Sequence, residues 1–178
     1  MASHWNRALG CMLTGMLLAL AGCGSVVIDA NPDTFAVPAG MASQLRGPQS
    51  VALKNAYPEA KQETIMSSGG ATLLADFKQY TDAAITMLGR EMQKAGVGIA
   101  PSATKSVTLR VHSVQAVHGG FTIRSSLVLE AEYGDGTKSS IAAENSSPSD
   151  AWRAVSGALM YAVSRLLNDE QFVAFVNR

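Results

Sequence analysis

The sequence predicts an α+β fold: an antiparallel sheet of about four strands with two helices packed on one face, ordered as strand, helix, three-strand meander and helix. Two segments, 73–95 and 151–167, repeat apolar residues at helical spacing. Between them, successive segments alternate apolar with polar residues, as half-buried strands do. Helices with one apolar stripe and a sheet with one apolar face can cover each other, which favours a two-layer domain.

Size and charge set limits on the protein class. The chain has 178 residues, of which 47% are hydrophobic and 16% charged, and 14 Lys and Arg balance 14 Asp and Glu. This is enough apolar material for one domain with one core. Nucleic acid is excluded as a partner, because phosphate binding requires a cluster of excess basic residues and the sequence has none.

The N-terminus has the outline of a secretory signal. Arg7 is followed by an apolar run from Ala8 to Ala21 that Gly10, Thr14 and Gly15 interrupt. The run is shorter than the roughly 20 apolar residues that a transmembrane helix needs. Residues 1–22 are therefore predicted to be a signal peptide that is removed.

The apolar run ends in a motif that predicts lipidation. Leu20-Ala21-Gly22-Cys23 resembles the bacterial lipobox, and the resemblance implies that Cys23 is acylated and becomes the first residue. An ordinary signal peptide with an accidental cysteine is the alternative. Gly24 in place of Asp implies, by the same resemblance, an outer-membrane, periplasm-facing protein whose partner is the lipid bilayer. The remaining chain has no second cysteine for a disulfide.

Residues 23–48 are predicted to be a flexible tether, and residues 49–178 a single domain. The tether contains Gly, Ser and three of the six prolines without periodicity. Its short apolar patch, Val26-Val27-Ile28, fits either an edge strand or a contact with lipid headgroups. In the domain, 50–57 predicts the first strand, 59–70 a mobile loop, and 73–95 a helix that Gly96 ends.

The meander has a predictable register if its odd-numbered residues face the core. A three-residue turn at 118–120 then pairs Val117 with Phe121 and Val111 with Leu127. A second turn at 134–136 pairs Leu129 with Ile141. The last long helix, 151–167, is expected to bury Trp152, and a short helix or turn at 169–176 closes the chain.

Candidate catalytic or metal-binding groups are few. His112 and His118 lie among arginines and without a third ligand, so they predict surface histidines and no metal site. Glu130 and Glu132 share one strand face, as paired carboxylates of a glycosidase do, but basic or polar residues are expected opposite them. No nucleotide fingerprint or nucleophile motif is present. The sequence predicts neither an enzyme nor a cofactor.

A family resemblance rests on the layout from Val51 onward. The lipobox, the first strand and polar loop, the helix ending in 88–96, the strand 107–111 and the closing helix resemble the YajG-type small bacterial lipoproteins, and more loosely the LptE-type domain. The resemblance implies an envelope lipoprotein that binds or helps assemble other components. A wall-acting enzyme or an auxiliary lipoprotein subunit of an envelope transporter is the alternative.

The partner surface is predicted on the even-numbered, polar face of the sheet. Arg110, Arg124 and Val128 are expected to line the contact with an envelope protein, with Val114 and Val128 forming a small apolar centre. The partner's identity and the oligomeric state are not encoded in any motif.

Overall fold

A computed structural model describes residues 24–47, 49–148 and 150–178. The predicted signal peptide and Cys23 lie outside these residues. The described elements form an α+β fold, as predicted. They are, in chain order, β1 (Ser25–Ile28), β2 (Ser50–Asn55), β3 (Gln62–Ser68), β4 (Ala71–Asp76), α1 (Phe77–Lys94), β5 (Gly98–Ile99), β6 (Lys105–Gly119), β7 (Thr122–Tyr133), β8 (Lys138–Ser147), α2 (Ala151–Leu166) and α3 (Glu170–Asn177).

The strands form two mixed sheets, so the prediction of one antiparallel sheet of about four strands was wrong. One sheet has the order β5-β2-β6-β7-β8 and the other the order β1-β4-β3. β2 is parallel to β5 and β6, whereas β6, β7 and β8 form the expected antiparallel meander. The chain between β2 and β6 passes through α1, and such a crossover returns it in the same direction.

The segment predicted as a mobile loop at 59–70 is instead half of a hairpin. β3 pairs antiparallel with β4 through a turn at Gly69 and Gly70, whose φ angles are 59° and 84°. Both residues are left-handed, which glycine adopts without steric cost. β4 also takes Leu73 and Leu74 from the predicted helix, so α1 begins at Phe77, where the Asp76 carboxylate accepts a hydrogen bond from the Lys78 amide (2.9 Å).

Part of the predicted tether packs against the domain. β1 is an edge strand parallel to β4, one of the two options that the sequence leaves open. Val37, Ala42 and Leu45 are buried, and the Asn177 side chain donates to the Gln44 carbonyl (2.9 Å). The division of the chain at residues 22 and 48 stays a prediction.

Trp152 was expected in the core but lies at its edge. The indole is half-buried, and its Nε1 donates a hydrogen bond to the Asp29 carbonyl (3.0 Å). Its polar end therefore fixes the chain that follows β1, while the neighbouring residues of α2 fill the core.

Helices α1 and α2 cover the same face of the five-stranded sheet. Leu88 of α1 and Leu129 of β7 are both fully buried in this layer. α2 approaches the meander very closely at Gly157, where an added Cβ would collide with the Asn145 side chain. α3 closes one end of the core by placing Phe175 against the Tyr133 ring, with centroids 5.1 Å apart.

The two turns of the meander gave opposite outcomes. The turn at 134–136 was predicted correctly, since Leu129 pairs with Ile141. The turn between β6 and β7 was predicted wrongly: Gly119 pairs with Thr122, which leaves a two-residue turn, and Val111 pairs with Leu129. Near this turn, odd-numbered residues of β6 therefore pair with even-numbered residues of β7, as Val117 does with Arg124.

A β-bulge between Val111 and Ser113 corrects the parity. Before the bulge the buried residues of β6 are odd-numbered, as at Val111. After the bulge they are even-numbered, as at Val114 and Ala116. One extra residue in one strand rotates the following side chains to the other face. The bulge therefore lets a two-residue turn coexist with a continuous apolar face.

Side chains satisfy the backbone of β6 where β2 ends. The buried Thr81 hydroxyl donates to the Phe77 carbonyl (2.7 Å) and accepts from the Val111 amide (3.0 Å). The Tyr57 hydroxyl donates to the Val111 carbonyl (2.8 Å). Both peptide groups of Val111 thus have partners beyond the end of β2.

Replacing Thr81 by Val should destabilise the protein by about 1–3 kcal/mol, because the shape is kept but the buried Val111 amide loses its acceptor. Thr86→Val is the matched control: its hydroxyl also donates to a carbonyl one turn back, at Asp82 (2.9 Å), but is exposed. We expect that variant to stay within about 0.5 kcal/mol of the parent. Urea unfolding measures both, and equal losses would contradict the role of Thr81.

Two buried tyrosines should respond differently to the loss of their hydroxyls. Tyr80 Oη is buried without a hydrogen-bond partner among the described residues, so Tyr80→Phe should raise the free energy of unfolding or leave it unchanged. Tyr133 Oη is bonded to Ser139 Oγ (2.7 Å), so Tyr133→Phe should lower it by about 0.5–1.5 kcal/mol. Thermal or urea unfolding of both variants provides the comparison, and a destabilised Tyr80→Phe would show that its hydroxyl has a partner in solution.

Candidate functional site

The face of the five-stranded sheet opposite α1 and α2 is the candidate site, and we call it the outer sheet face. It has a polar and charged composition with scattered small apolar groups. Its members on the meander are Thr108, Arg110, Ser113, Gln115 and Val117 from β6, Arg124, Ser126, Val128, Glu130 and Glu132 from β7, and Ser140, Ala142, Glu144 and Ser146 from β8.

The three predicted contact residues lie together on this face. Arg124 and Val128 lie four residues apart on the same side of β7, and Arg110 lies on β6 opposite Glu130. Val128 is half-buried between two small cross-strand neighbours, Ser113 and Ala142. Small neighbours leave the valine side chain accessible at the middle of the face.

The predicted apolar pair of Val114 and Val128 was wrong. Val114 is only 4% exposed and belongs to the core, where it lies opposite Leu127. The bulge is the reason, because it turns every residue of β6 after Val111 by one position. The apolar centre of the outer sheet face is therefore Val128 with Ala142.

Sequence reasoning missed Gln115 and Val117, which the bulge brings to the outer sheet face. The sequence does contain a signal for the change. Apolar residues are odd-numbered up to Val111 but even-numbered at Val114 and Ala116. A change of phase within an alternating segment is what a one-residue bulge produces.

Each of the two candidate catalytic carboxylates is paired with a cation. Arg110 Nε donates to Glu130 Oε2 (3.1 Å), and this hydrogen bond raises the pKa of Arg110. Glu132 pairs with Lys138 at 2.9 Å. His112 Nδ1 lies 3.4 Å from Glu130 Oε1. The pairs are partly solvated, so they order the side chains on the surface and add little to stability.

Two shallow clefts flank Val128. The first, of about 430 Å³, lies between the Arg110–Glu130 and Glu132–Lys138 pairs. The second, of about 630 Å³, has Gln115, Arg124, Glu144 and Tyr161 in its lining. Arg124 has no ion-pair partner among the described residues. Its guanidinium is therefore available to a carboxylate of another molecule.

Metal ligands are not grouped in the part of the chain that the structure describes. No set of three His, Cys, Asp or Glu side chains comes together there. His112 and His118 are both exposed, on the bulge and beside the β6–β7 turn.

The described helices are too short or too polar to cross a membrane. α1 is the longest, with 18 residues, and it carries charged residues along its exposed side.

Comparison with known proteins gives a likeness in structure but none in sequence. No protein-family model matches the sequence, and no curated protein matches it. The chain is similar in structure to protein XCC0632 from Xanthomonas campestris, described under the family model DUF330. The match has a TM-score of 0.48 and 12% sequence identity, and covers 86% of this chain and 94% of that chain.

Proposed function

We propose that this protein is an envelope lipoprotein, anchored in the outer membrane through acylated Cys23, whose periplasm-facing domain is a non-catalytic binding or assembly module. One observation carries the proposal: both long helices cover the same face of the five-stranded sheet, and the described residues leave the outer sheet face open. An antiparallel meander tolerates one solvated face, which is then available to a partner.

The composition of the outer sheet face supports a protein partner. Val128 provides an apolar centre, and Arg110 and Arg124 provide planar guanidinium groups on either side of it. Arginine around a small desolvated centre is typical of protein interfaces, whereas lysine is depleted there. Glu130 and Glu132 give the face both signs of charge, which favours a partner of mixed charge.

The anchoring part of the proposal depends on the lipobox. Leu20-Ala21-Gly22-Cys23 follows an apolar run too short to span a bilayer. Two or more acyl chains hold a domain stably on a membrane, since each buried methylene contributes about 0.8 kcal/mol. The resemblance in layout to YajG-type lipoproteins supports the same location.

Acylation should depend on Cys23 alone. In cells grown with an alkyne-bearing palmitate, we expect label on the parent chain and on Cys11→Ala, because Cys11 lies inside the predicted signal peptide. Cys23→Ala should lose the label. In-gel fluorescence after coupling to an azide dye measures this, and label that persists in Cys23→Ala would contradict lipidation at this residue.

A photo-crosslinking amino acid at Val128 should capture an envelope protein in living cells. The matched control is the same amino acid at Gln93, which is exposed on α1. Adding Arg124→Glu to the Val128 probe should lower the yield about tenfold, which corresponds to about 1.4 kcal/mol. Immunoblotting and mass spectrometry identify the adducts. Equal capture from both positions, or capture from Gln93 alone, would place the contact away from the outer sheet face.

A further inference from the structure

The N-terminus of the described chain lies beside the turn of the β3–β4 hairpin. The Gly24 carbonyl accepts a hydrogen bond from the Thr72 amide (3.2 Å), and Ser25 pairs with Thr72. Thr72 is the second residue after the Gly69–Gly70 turn. The described chain therefore begins next to this turn, at Gly24, the residue that follows Cys23 in the sequence.

The β6–β7 turn lies at the same end of the molecule. The last residues of β3 and of β6, Thr64–Ser68 and Gln115–His118, line one cleft of about 380 Å³. Each strand then runs into its own turn, at Gly69–Gly70 and at Gly120–Phe121. We call residues 24–28, 66–72 and 117–123, which lie at this end of the domain, the anchor end.

The anchor end has no fixed charge. Its three segments contain no Asp, Glu, Lys or Arg, and Arg124 is the first charged residue behind the tip on β7. The other end of β7 is different. There Asp135 of the β7–β8 turn pairs with Arg178 (2.7 Å), and Glu132 of β7 pairs with Lys138 of β8.

Exposed apolar side chains concentrate at the anchor end. Phe121 is 98% exposed at the tip of the β6–β7 turn, and Val117 is 57% exposed behind it. Val26 and Val27 of β1 are also exposed, at 54% and 39%. These four account for all but one of the exposed large hydrophobic side chains in the described residues, the exception being Tyr161. Exposed apolar side chains gathered at one end of a domain are typical of a contact with a membrane or a protein.

We propose that the anchor end contacts the lipid bilayer itself, with Phe121 inserted at the interface of the membrane that holds the acyl chains of Cys23. The inference rests on the lipidation in the proposed function. The short chain between Cys23 and β1 favours the membrane as the partner of this end. Ser25 already belongs to β1, and two residues extend at most about 7 Å, so an anchor at Cys23 holds this end of the domain at the membrane surface.

The chemistry of the tip fits that location. A phenylalanine ring is favoured at the boundary between headgroups and acyl chains, where it leaves water. One exposed Phe is a weak anchor alone, but the acyl chains make its insertion an intramolecular step at high effective concentration.

A tryptophan at position 121 can measure the insertion. The full chain is purified in its acylated form with Trp152→Phe, which leaves no other tryptophan after signal removal, and with Phe121→Trp added. It is reconstituted into phosphatidylethanolamine and phosphatidylglycerol vesicles with brominated acyl chains. The matched control carries Lys138→Trp in the same background, because Lys138 is exposed at the far end of the meander.

We expect bromine to quench the indole of the Phe121→Trp variant and its emission to shift to shorter wavelength, because the ring is buried about 5–10 Å into the boundary between headgroups and acyl chains. The Lys138→Trp indole should show neither effect. An unquenched Phe121→Trp indole in protein that floats with the vesicles would overturn the inference while leaving lipidation intact. A blue shift without quenching would also overturn it, since another protein surface would then cover the tip. A purified chain that carries no acyl group would refute the lipidation, and the inference with it.

Discussion

The hydrogen bond between the Thr81 hydroxyl and the Val111 amide is the contact on which the rest of the sheet depends. β2 pairs with β6 only as far as Leu109. The next peptide groups of β6 on that side, those of Val111, therefore have no strand beside them. Buried peptide groups without partners are costly. Thr81 from α1 and Tyr57 from the segment after β2 supply both partners. The same contacts tie the first turns of α1 to the sheet.

Because Val111 is satisfied in this way, β6 can continue to Gly119 without β2. The bulge lies immediately after Val111, where the flanking strand has ended and an extra residue can be accommodated. It changes which side of β6 is buried, and the change agrees with the change of phase in the sequence. The bulge thus determines which residues of β6 after Val111 lie on the outer sheet face: Gln115 and Val117 lie there, whereas Val114 and Ala116 are buried.

Local periodicity allowed the two long helices, the meander and the 134–136 turn to be predicted, because each depends on residues close in sequence. The parallel pairing of β2 with β6 could not be predicted, since it joins segments separated by a crossover. The β3 hairpin was missed because its strand is mostly polar: only Ile65 is buried. Arg110, Arg124 and Val128 were placed on one face correctly because alternation is unbroken along β7 and below the bulge. Val114 was misplaced because the alternation of β6 changes phase at the bulge, whereas the prediction used one phase for the whole strand.

The extension of β6 and β7 also connects the two proposals. The strands that carry Arg110, Arg124 and Val128 are joined by the turn that exposes Phe121. A turn held at the membrane therefore determines how the outer sheet face is oriented relative to the membrane. Antiparallel strands rise about 3.4 Å per residue. Val128, seven residues after Phe121, is therefore about 24 Å along β7 from the tip, beyond the headgroup region. With the turn at the bilayer, as proposed, Val128 and Arg110 lie outside the headgroup region, where a protein partner can reach them.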